Sequence, residues 1–230
     1  MIRLVVFRIV KPAVSTVCEI AGRVSFRGKG MLSLRQPVVL QRDLPLEAVG
    51  LFACFAKGIA MEFTEVIANR YSCKKFDGNA VPAEKLDAIL NAARLAPTAK
   101  NLQEQRIYVA QSAEKLAVID EITPCRYNAP CVLVVAFDTE NTFTYPGGER
   151  DSGVEDASIV ATHLVLAAYN EGVDSCWINF FDPAVAKEKL GLPENEEVLM
   201  LLNLGYAAEG TGPLKNHTSR KPLSETVTYL

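Results

Sequence analysis

Hydrophobic and polar positions follow two different periods from residue 61 onward, and each period predicts one kind of element. Apolar residues that recur every three or four positions predict amphipathic helices. Such helices are predicted at 62–69, 83–95, after Ser112, 153–170 and 183–190. Short, mostly apolar runs predict strands at 106–110, 131–137, 175–181 and 198–204. Helices and strands are mixed without a strict alternation, which predicts α+β packing around a small sheet.

Three segments carry expectations about burial. The run 131–137 is continuously apolar, which predicts a central strand covered on both faces. The helix 153–170 is apolar nearly all round, so we expect it to be buried on most sides. In the helix 62–69, we expect Phe63, Val66 and Ile67 to share the inward face.

Residues 1–60 show no sustained period, and their charge differs from that of the rest. They contain nine Lys and Arg against three Asp and Glu, whereas residues 61–230 contain fifteen against twenty-four. We therefore divide the chain into a basic extension, 1–60, without a predicted domain, and one domain, 61–230. The extension has three explanations: a misassigned start codon before Met61, a genuine but poorly ordered extension, or an Arg-rich targeting segment.

Composition excludes several classes of protein. Apolar residues make up 49% of the chain and charged residues 22%, values typical of a globular protein. An acidic domain argues against nucleic acid or an anionic membrane as the main partner, because both select basic surfaces. No apolar run approaches the roughly 18 to 20 residues of a membrane-spanning helix. We expect a small-molecule partner and no membrane span.

The cysteines and histidines predict neither a metal site nor a disulfide framework. The six cysteines include no CxxC pair, and the two histidines are His163 and His217. Unpaired thiols are typical of a reducing compartment, so we expect a cytoplasmic protein. His163 falls in an apolar helical pattern and is predicted to be a core residue, whereas His217 lies among polar residues of the tail.

The densest polar cluster of the domain directly follows its first helix. In an extended backbone, residues two apart share a face, which puts Arg70, Ser72 and Lys74 on one side and Tyr71 on the other. Two cations and a hydroxyl in a row suit a phosphate and, farther along, a second negative group. The other interpretation is a solvated basic loop.

Four motifs together resemble the flavin-dependent nitroreductase family. They are Arg70 to Phe76 (RYSCKKF), Ala96 to Gln103 (APTAKNLQ), Gly172 to Ile178 (GVDSCWI) and Ser219 to Glu225 (SRKPLSE). They stand in the family's order with similar spacing, and the resemblance covers residues 61–230. It implies an α+β fold with a small, mainly antiparallel sheet flanked by helices, and FMN bound at a homodimer interface.

The resemblance also implies roles for particular residues. Arg70 would bind the FMN phosphate, Tyr71 and Ser72 phosphate or ribityl oxygens, and Lys74 the N1/O2 edge of the isoalloxazine. The other implied FMN contacts are a loop from the partner subunit, a strand beside the flavin and a phosphate clamp near the C-terminus. Their residues are, respectively, Pro97, Thr98, Asn101 and Gln103; Trp177, Ile178 and Asn179; and Arg220 with Lys221.

These implications lead to a predicted function with alternatives. The expected activity is electron transfer from NADH or NADPH, through FMN, to a nitroaromatic, a quinone or a related acceptor such as an enone. The flavin performs the chemistry, so no catalytic side chain is singled out. Residues 104–105 and 179–181 depart from the family pattern. They leave open an FMN-binding module for storage, sensing or partner binding without efficient turnover.

Overall fold

The structure of the protein is a computed structural model that describes residues 61–230. Its helices are α1 (Phe63–Asn69), α2 (Ala83–Arg94), α3 (Ala113–Ile122), α4 (Gly153–Asn170), α5 (Pro183–Leu190) and α6 (Leu223–Thr226). Its strands are β1 (Gln105–Ala110), β2 (Cys131–Asp138), β3 (Asp174–Ile178) and β4 (Glu196–Gly205). The predictions for residues 1–60 lie outside the described residues.

The strands form a single antiparallel sheet in the order β1-β2-β4-β3. β2 pairs with β1 on one side and with β4 on the other, and β3 pairs with the outer side of β4. The sheet therefore confirms the predicted α+β class and the small antiparallel sheet flanked by helices. β3, which carries part of the predicted site, is an edge strand.

Two hydrophobic cores cover the two faces of the sheet. On one face, α2 and α4 pack against alternate residues of β2, including Leu133 and Val135. On the other face, α3, α5 and the segment 73–76 pack against the intervening residues, including Val132 and Val134. Every residue from 131 to 137 is buried, so the prediction of a central strand covered on both faces is confirmed.

A β-bulge in β4 changes which residues face which core. The pairing with β2 shifts between Val135 and Ala136, because Met200 opposes Val135 whereas Val198 opposes Ala136. Residues two apart in a regular strand share a face, but here Met200 packs in the first core and Val198 in the second. An extra residue in one strand accounts for this switch.

Helix boundaries agree closely with the pattern, and one strand boundary does not. α4 and α5 begin and end at the predicted residues, and Ser112 caps α3 by accepting a hydrogen bond from the Lys115 N–H. β3 ends at Ile178, so the predicted strand to residue 181 was too long. Phe180 is 72% exposed, and Asp182 accepts the first N–H groups of α5, which ends the extended segment.

Two burial predictions were only partly right. In α1, Val66 is buried, but Phe63 and Ile67 are 66% and 43% exposed. α4 buries one face against the sheet, whereas Val154 and Ile159 on its other side are exposed. Apolar periodicity identifies the helix, but it does not tell whether the same chain covers the whole apolar surface.

Within residues 61–230, no helix combines the length and the apolar character that crossing a membrane requires.

The close approach at the end of β4 gives the first testable prediction. A Cβ built on Gly205 would lie 2.7 Å from Pro130 Cδ and 2.9 Å from Phe76 Cδ1. We expect Gly205→Ala to lower the free energy of unfolding by about 1 to 3 kcal/mol through overpacking. Urea denaturation measures it, with Gly212→Ala as the control because a Cβ there meets no atom within 4 Å. Equal stability of the two variants would contradict the prediction.

Candidate functional site

The segment after α1 runs extended along the outer edge of β3. Ser72 forms a parallel bridge with Ser175, and the Cys73 N–H donates to the Ser175 oxygen at 2.9 Å. Farther along, Phe76 bridges Ala207, beyond the end of β4. This confirms that the segment is extended and not a solvated loop throughout.

Side chains alternate along this segment only as far as Lys74. Ser72 and Lys74 are exposed, Arg70 is half-buried and Cys73 is buried in the second core. The alternation ends there, because Lys75 is exposed and Phe76 is buried in the second core. Arg70 is placed by the end of α1, where its N–H donates to the Val66 oxygen. The buried residues therefore fix the backbone and leave the cationic and hydroxyl side chains accessible.

A pocket of about 260 Å³ opens between this segment, β3 and α4. One part of its wall is polar and contains the side chains of Arg70, Tyr71 and Ser72, with Ser175 beside them. The other part is mostly apolar and contains residues of α4 and β3. Its lining residues there are Thr162, Val165, Leu166 and Trp177.

The ionisable groups beside the pocket have specific partners. Burial, the Asp174 carboxylate and the Cys73 thiol raise the pKa of Tyr71 to about 12, so this phenol stays neutral at physiological pH. Asp174 also accepts the Ala207 N–H at 2.8 Å. Burial raises the pKa of Cys176 to about 11, and the Lys74 ammonium opposes part of that rise. Lys74 therefore lies close enough to β3 to act electrostatically there.

The strand residues of the predicted site point in different directions. Trp177 lines the pocket, and its Nε1–H donates to Asn179 Oδ1 at 2.7 Å. Ile178 is buried in the second core, so only its backbone is available on the pocket side. Asn179 follows the strand and is exposed.

The predicted partner-subunit loop lies between α2 and β1 and is strained. Pro97, Asn101 and Gln103 are exposed, and Thr98 is half-buried. Lys100, Asn101 and Gln103 have positive φ angles of 51°, 56° and 55°. A non-glycine residue in this region costs on the order of 1 to 3 kcal/mol, so the surroundings must hold the loop.

Several hydrogen bonds supply that restraint. Thr98 Oγ1 accepts the Gln103 N–H at 3.1 Å, and Asp156 Oδ1 on α4 accepts the Ala99 N–H at 2.9 Å. The Asn141 side chain donates to the Leu102 oxygen at 3.3 Å. The loop is thus attached both to itself and to the first turns of α4.

Two buried acids meet where the loop enters β1. Glu104 is fully buried and Asp156 is 4% exposed. Burial and a hydrogen-bonding contact with the Asp156 carboxyl raise the pKa of Glu104 to about 7. Ser152, at the N-terminus of α4, lies 3.5 Å from Glu104 Oε1. Glu104 is therefore a buried structural contact and not a residue of the pocket wall.

The C-terminal candidates lie on an exposed tail. The Arg220 guanidinium donates to the oxygens of His217 and Ser219, and Lys221 pairs with Glu225 at 3.4 Å. The His217 ring lies edge-on to the Tyr71 ring with centroids 6.5 Å apart. The tail therefore passes beside the pocket wall, although neither Arg220 nor Lys221 lines the pocket.

Within residues 61–230, a single chain brings together only some of the residues predicted to contact FMN. Arg70, Tyr71, Ser72 and Trp177 line the pocket, whereas the loop 97–103 does not line it. The sequence pattern did not indicate the pocket residues of α4 or Ser175. Val165 and Leu166 belong to the apolar surface of α4 beyond what one buried face needs, and this excess was the available signal.

The two histidines differ from their predicted environments. His163, predicted to be a core residue, is half-buried and bonded to the Ile159 oxygen at 2.9 Å. His217, predicted only as a polar tail residue, lies beside Tyr71 of the pocket wall.

The described residues contain no group of three His, Cys, Asp or Glu side chains that could hold a metal ion.

Comparison with known proteins assigns the family. A model of the nitroreductase family matches residues 67–125 and 124–206. A protein of Methanothermobacter thermautotrophicus with the provisional name NADH dehydrogenase/NAD(P)H nitroreductase is 30% identical over 159 residues. That match covers 66% of this chain and 81% of the relative. The chain belongs to the nitroreductase family.

Solved structures agree with this assignment. A nitroreductase family protein from Clostridium difficile is 35% identical, with a TM-score of 0.69 over 74% of this chain and 98% of its own. A protein from Exiguobacterium sibiricum, solved in complex with FMN, shares the fold at 21% identity, with a TM-score of 0.65 over 75% and 99% of the two chains. The predicted family and enzyme class, an NAD(P)H-dependent oxidoreductase, are confirmed, and the expected FMN agrees with these relatives.

The buried acid at position 104 predicts a pH-dependent stability. Its pKa is 4.5 in the unfolded chain and about 7 in the folded one, so between these values the folded state holds more proton. The free energy of unfolding should therefore be highest below the lower value and fall as pH rises through the higher one.

Urea denaturation between pH 4 and pH 8.5 should show this as a difference between wild type and Glu104→Gln. The amide does not titrate, so the stability of wild type relative to the variant should fall as pH rises and then level off. A difference that stays constant over the whole range would contradict the raised pKa.

Proposed function

We propose that this protein is an FMN-dependent oxidoreductase that takes electrons from NADH or NADPH and passes them to a nitroaromatic, a quinone or a related small-molecule acceptor. The observation that carries the proposal is the pocket beside β3, in which a cation and hydroxyls adjoin an apolar wall in a chain of this family. Bound FMN would supply the hydride chemistry, and the protein would bind and orient it.

The polar part of the pocket has the donors that a phosphate and a polyol need. Arg70 offers a fork of N–H donors and a permanent charge, and Ser72 and Ser175 line the same pocket with hydroxyls. The Arg70 guanidinium on the pocket wall would attract an anionic ligand locally, although residues 61–230 carry a net negative charge. These donors fit the phosphate end of FMN.

The apolar part fits a planar ring. Val165, Leu166 and Trp177 form a wall that would exclude water from one side of an isoalloxazine. Lys74 does not line the pocket, but it is accessible, and its ammonium opposes part of the pKa rise of Cys176 on the same strand. An ammonium at the N1/O2 edge would stabilise the negative charge that the reduced flavin carries there.

A homodimer would complete this site, and we include it in the proposal. The loop that carries Asn101 and Gln103 is exposed and lies apart from the pocket of its own chain, as expected if it serves a second subunit. Exposed apolar side chains on α1 and α4, among them Phe63 and Val154, offer surface for such contact. Arg220 and Lys221 would then clamp the phosphate from the tail. These points support a dimer with shared FMN sites.

One of the two observations that favoured an FMN-binding module without turnover is weakened. The departures at Glu104 and Gln105 were a reason to doubt turnover, but neither residue lines the pocket: the Glu104 side chain is fully buried, and Gln105 is half-buried. The departures at Asn179 and Phe180 remain, because both residues are exposed at the end of β3. We therefore keep the enzyme as the proposal and the binding module as the competing result of the test.

Anaerobic spectroscopy separates the two. We expect the purified protein to be yellow, to lose its flavin absorbance on addition of NADH or NADPH, and to recover it on addition of menadione or a nitrobenzene. A yellow protein inert to both nicotinamides would be a binding module. A colourless protein that takes up no added FMN would contradict both.

Arg70→Ala tests the phosphate contact. Loss of a charge-assisted hydrogen bond is expected to weaken FMN binding by about tenfold to a hundredfold. Fluorescence titration of apoprotein with FMN measures the dissociation constant. Lys75→Ala is the control, because it removes an exposed cation of the same segment that lies outside the pocket. Equal affinities for the two variants would contradict the role of Arg70.

Lys74→Ala tests the redox contact. A cation that favours the reduced flavin by about 1.4 kcal/mol raises a two-electron potential by about 30 mV, so the variant's potential should fall by that order. Spectroelectrochemistry on FMN-saturated protein measures the shift, again with Lys75→Ala as the control. An unchanged potential would remove Lys74 from the flavin edge.

A further inference from the structure

The buried acid pair Glu104 and Asp156 lies outside the pocket, yet it connects the loop 97–103 with α4. The proposed function depends on how these two elements are positioned relative to each other. Glu104 directly follows the loop 97–103, and Asp156 lies in the first turn of α4, the helix that supplies Val165 and Leu166 to the pocket wall. Asp156 Oδ1 already accepts the Ala99 N–H. The pair therefore connects both ends of the loop to α4.

The hydrogen bonding of the pair is incomplete if both carboxyls are ionised. Glu104 Oε2 and Asp156 Oδ2 are buried and accept no hydrogen bond from the described residues. Both acids meet at Ser152, whose Oγ lies 3.5 Å from Glu104 Oε1 and whose carbonyl oxygen accepts the Asp156 N–H at 2.8 Å. The Asp156 carboxyl also contributes to the raised pKa of Glu104. A single proton held between Glu104 Oε2 and Asp156 Oδ2 would satisfy both oxygens, whereas two neighbouring buried carboxylates would repel each other.

Charged side chains of the described residues do not replace that proton, because none makes a hydrogen bond or ion pair with the carboxyl oxygens of Glu104 or Asp156. Charged residues on β1, its sheet, the loop and α4 include Arg106 on β1, Asp138 at the end of β2, Glu196 at the start of β4, Lys100 in the loop and Glu155 on α4. Arg106 donates to Glu104 only at its main-chain oxygen, and its guanidinium is shared between Asp138 and Glu196. Lys100 lies over the Phe143 ring, and Glu155 pairs with Arg150.

We propose that Glu104 and Asp156 share one proton and act together as positioning residues for the loop 97–103. This proposal rests on the proposed function for its consequence, because that loop is the part expected to contact FMN in the neighbouring subunit. When the proton is lost to solvent at alkaline pH, repulsion moves Asp156 away from the Ala99 N–H. The strained loop then loses its attachment to α4, and FMN binds more weakly.

Amide hydrogen exchange on the full-length apoprotein tests the positioning without FMN. After correction for the intrinsic pH dependence of exchange, protection at residues 99–103 should fall between pH 6 and pH 8 in wild type. In Glu104→Gln it should stay at the level of wild type at pH 6, because the amide donates a permanent hydrogen bond to Asp156. Asp156→Ala should lack protection at every pH.

Two further variants guard against a general loss of structure. Asp156→Asn keeps an acceptor for Ala99 and gives Glu104 a donor, so the loop should be protected at both pH values. Glu155→Gln removes a carboxyl of the same helix that does not contact the loop, and it should behave as wild type. Equal protection in wild type at pH 6 and pH 8, or the same pH response in Glu104→Gln, would overturn the proposal.

FMN titration at pH 6 and pH 8 tests the consequence. If only the protonated pair is competent, the dissociation constant of wild type should rise by up to about tenfold, in proportion to the lost competent fraction. In Glu104→Gln, the dissociation constant should change with pH only through the ionisation of FMN itself. Subtracting the pH response of this variant from that of wild type therefore removes the effect of FMN ionisation. If no FMN binds at any pH, the proposed function fails while the exchange experiment still decides the pair. If FMN binds with equal pH response in both proteins, the coupling to FMN is refuted.

Discussion

Strands β2 and β4 form the middle of a four-stranded sheet and must be covered on both faces. β2 offers an unbroken apolar run, so neither of its faces can be left to water without a large loss of hydrophobic free energy. α2 and α4 cover one face, and α3 and α5 cover the other. This requirement fixes where every other element can go.

The site follows from what is left uncovered. β3 pairs with β4 on one side only, and the segment after α1 lies along its free edge through the bridge between Ser72 and Ser175. Cys73 and Phe76 anchor that segment in the second core, and this leaves Arg70 and Ser72 on the wall of a pocket. Cationic and hydroxyl side chains are thus concentrated at the edge of the sheet, beside β3.

α4 connects the pocket with the loop 97–103. Its inward face packs on the sheet, its flank gives Val165 and Leu166 to the pocket, and Asp156 in its first turn accepts the Ala99 N–H. One rigid helix therefore sets the pocket wall and the strained loop at the same time. If the loop contacts FMN in a neighbouring subunit, as we propose, a change at the buried acid pair would reach FMN through the loop without touching the pocket.

The sequence by itself determined the class of fold, the limits of α4 and α5, the burial of β2 and the family, because periodicity, capping residues and motif spacing are local properties. It also identified the extended segment that begins at Arg70. Only the tertiary structure decided that β4 changes face at its bulge, that Phe63 remains exposed and that Glu104 is buried against Asp156. These depend on contacts between residues far apart in the chain, and a one-residue bulge or a single neighbouring helix reverses the environment that a local pattern indicates.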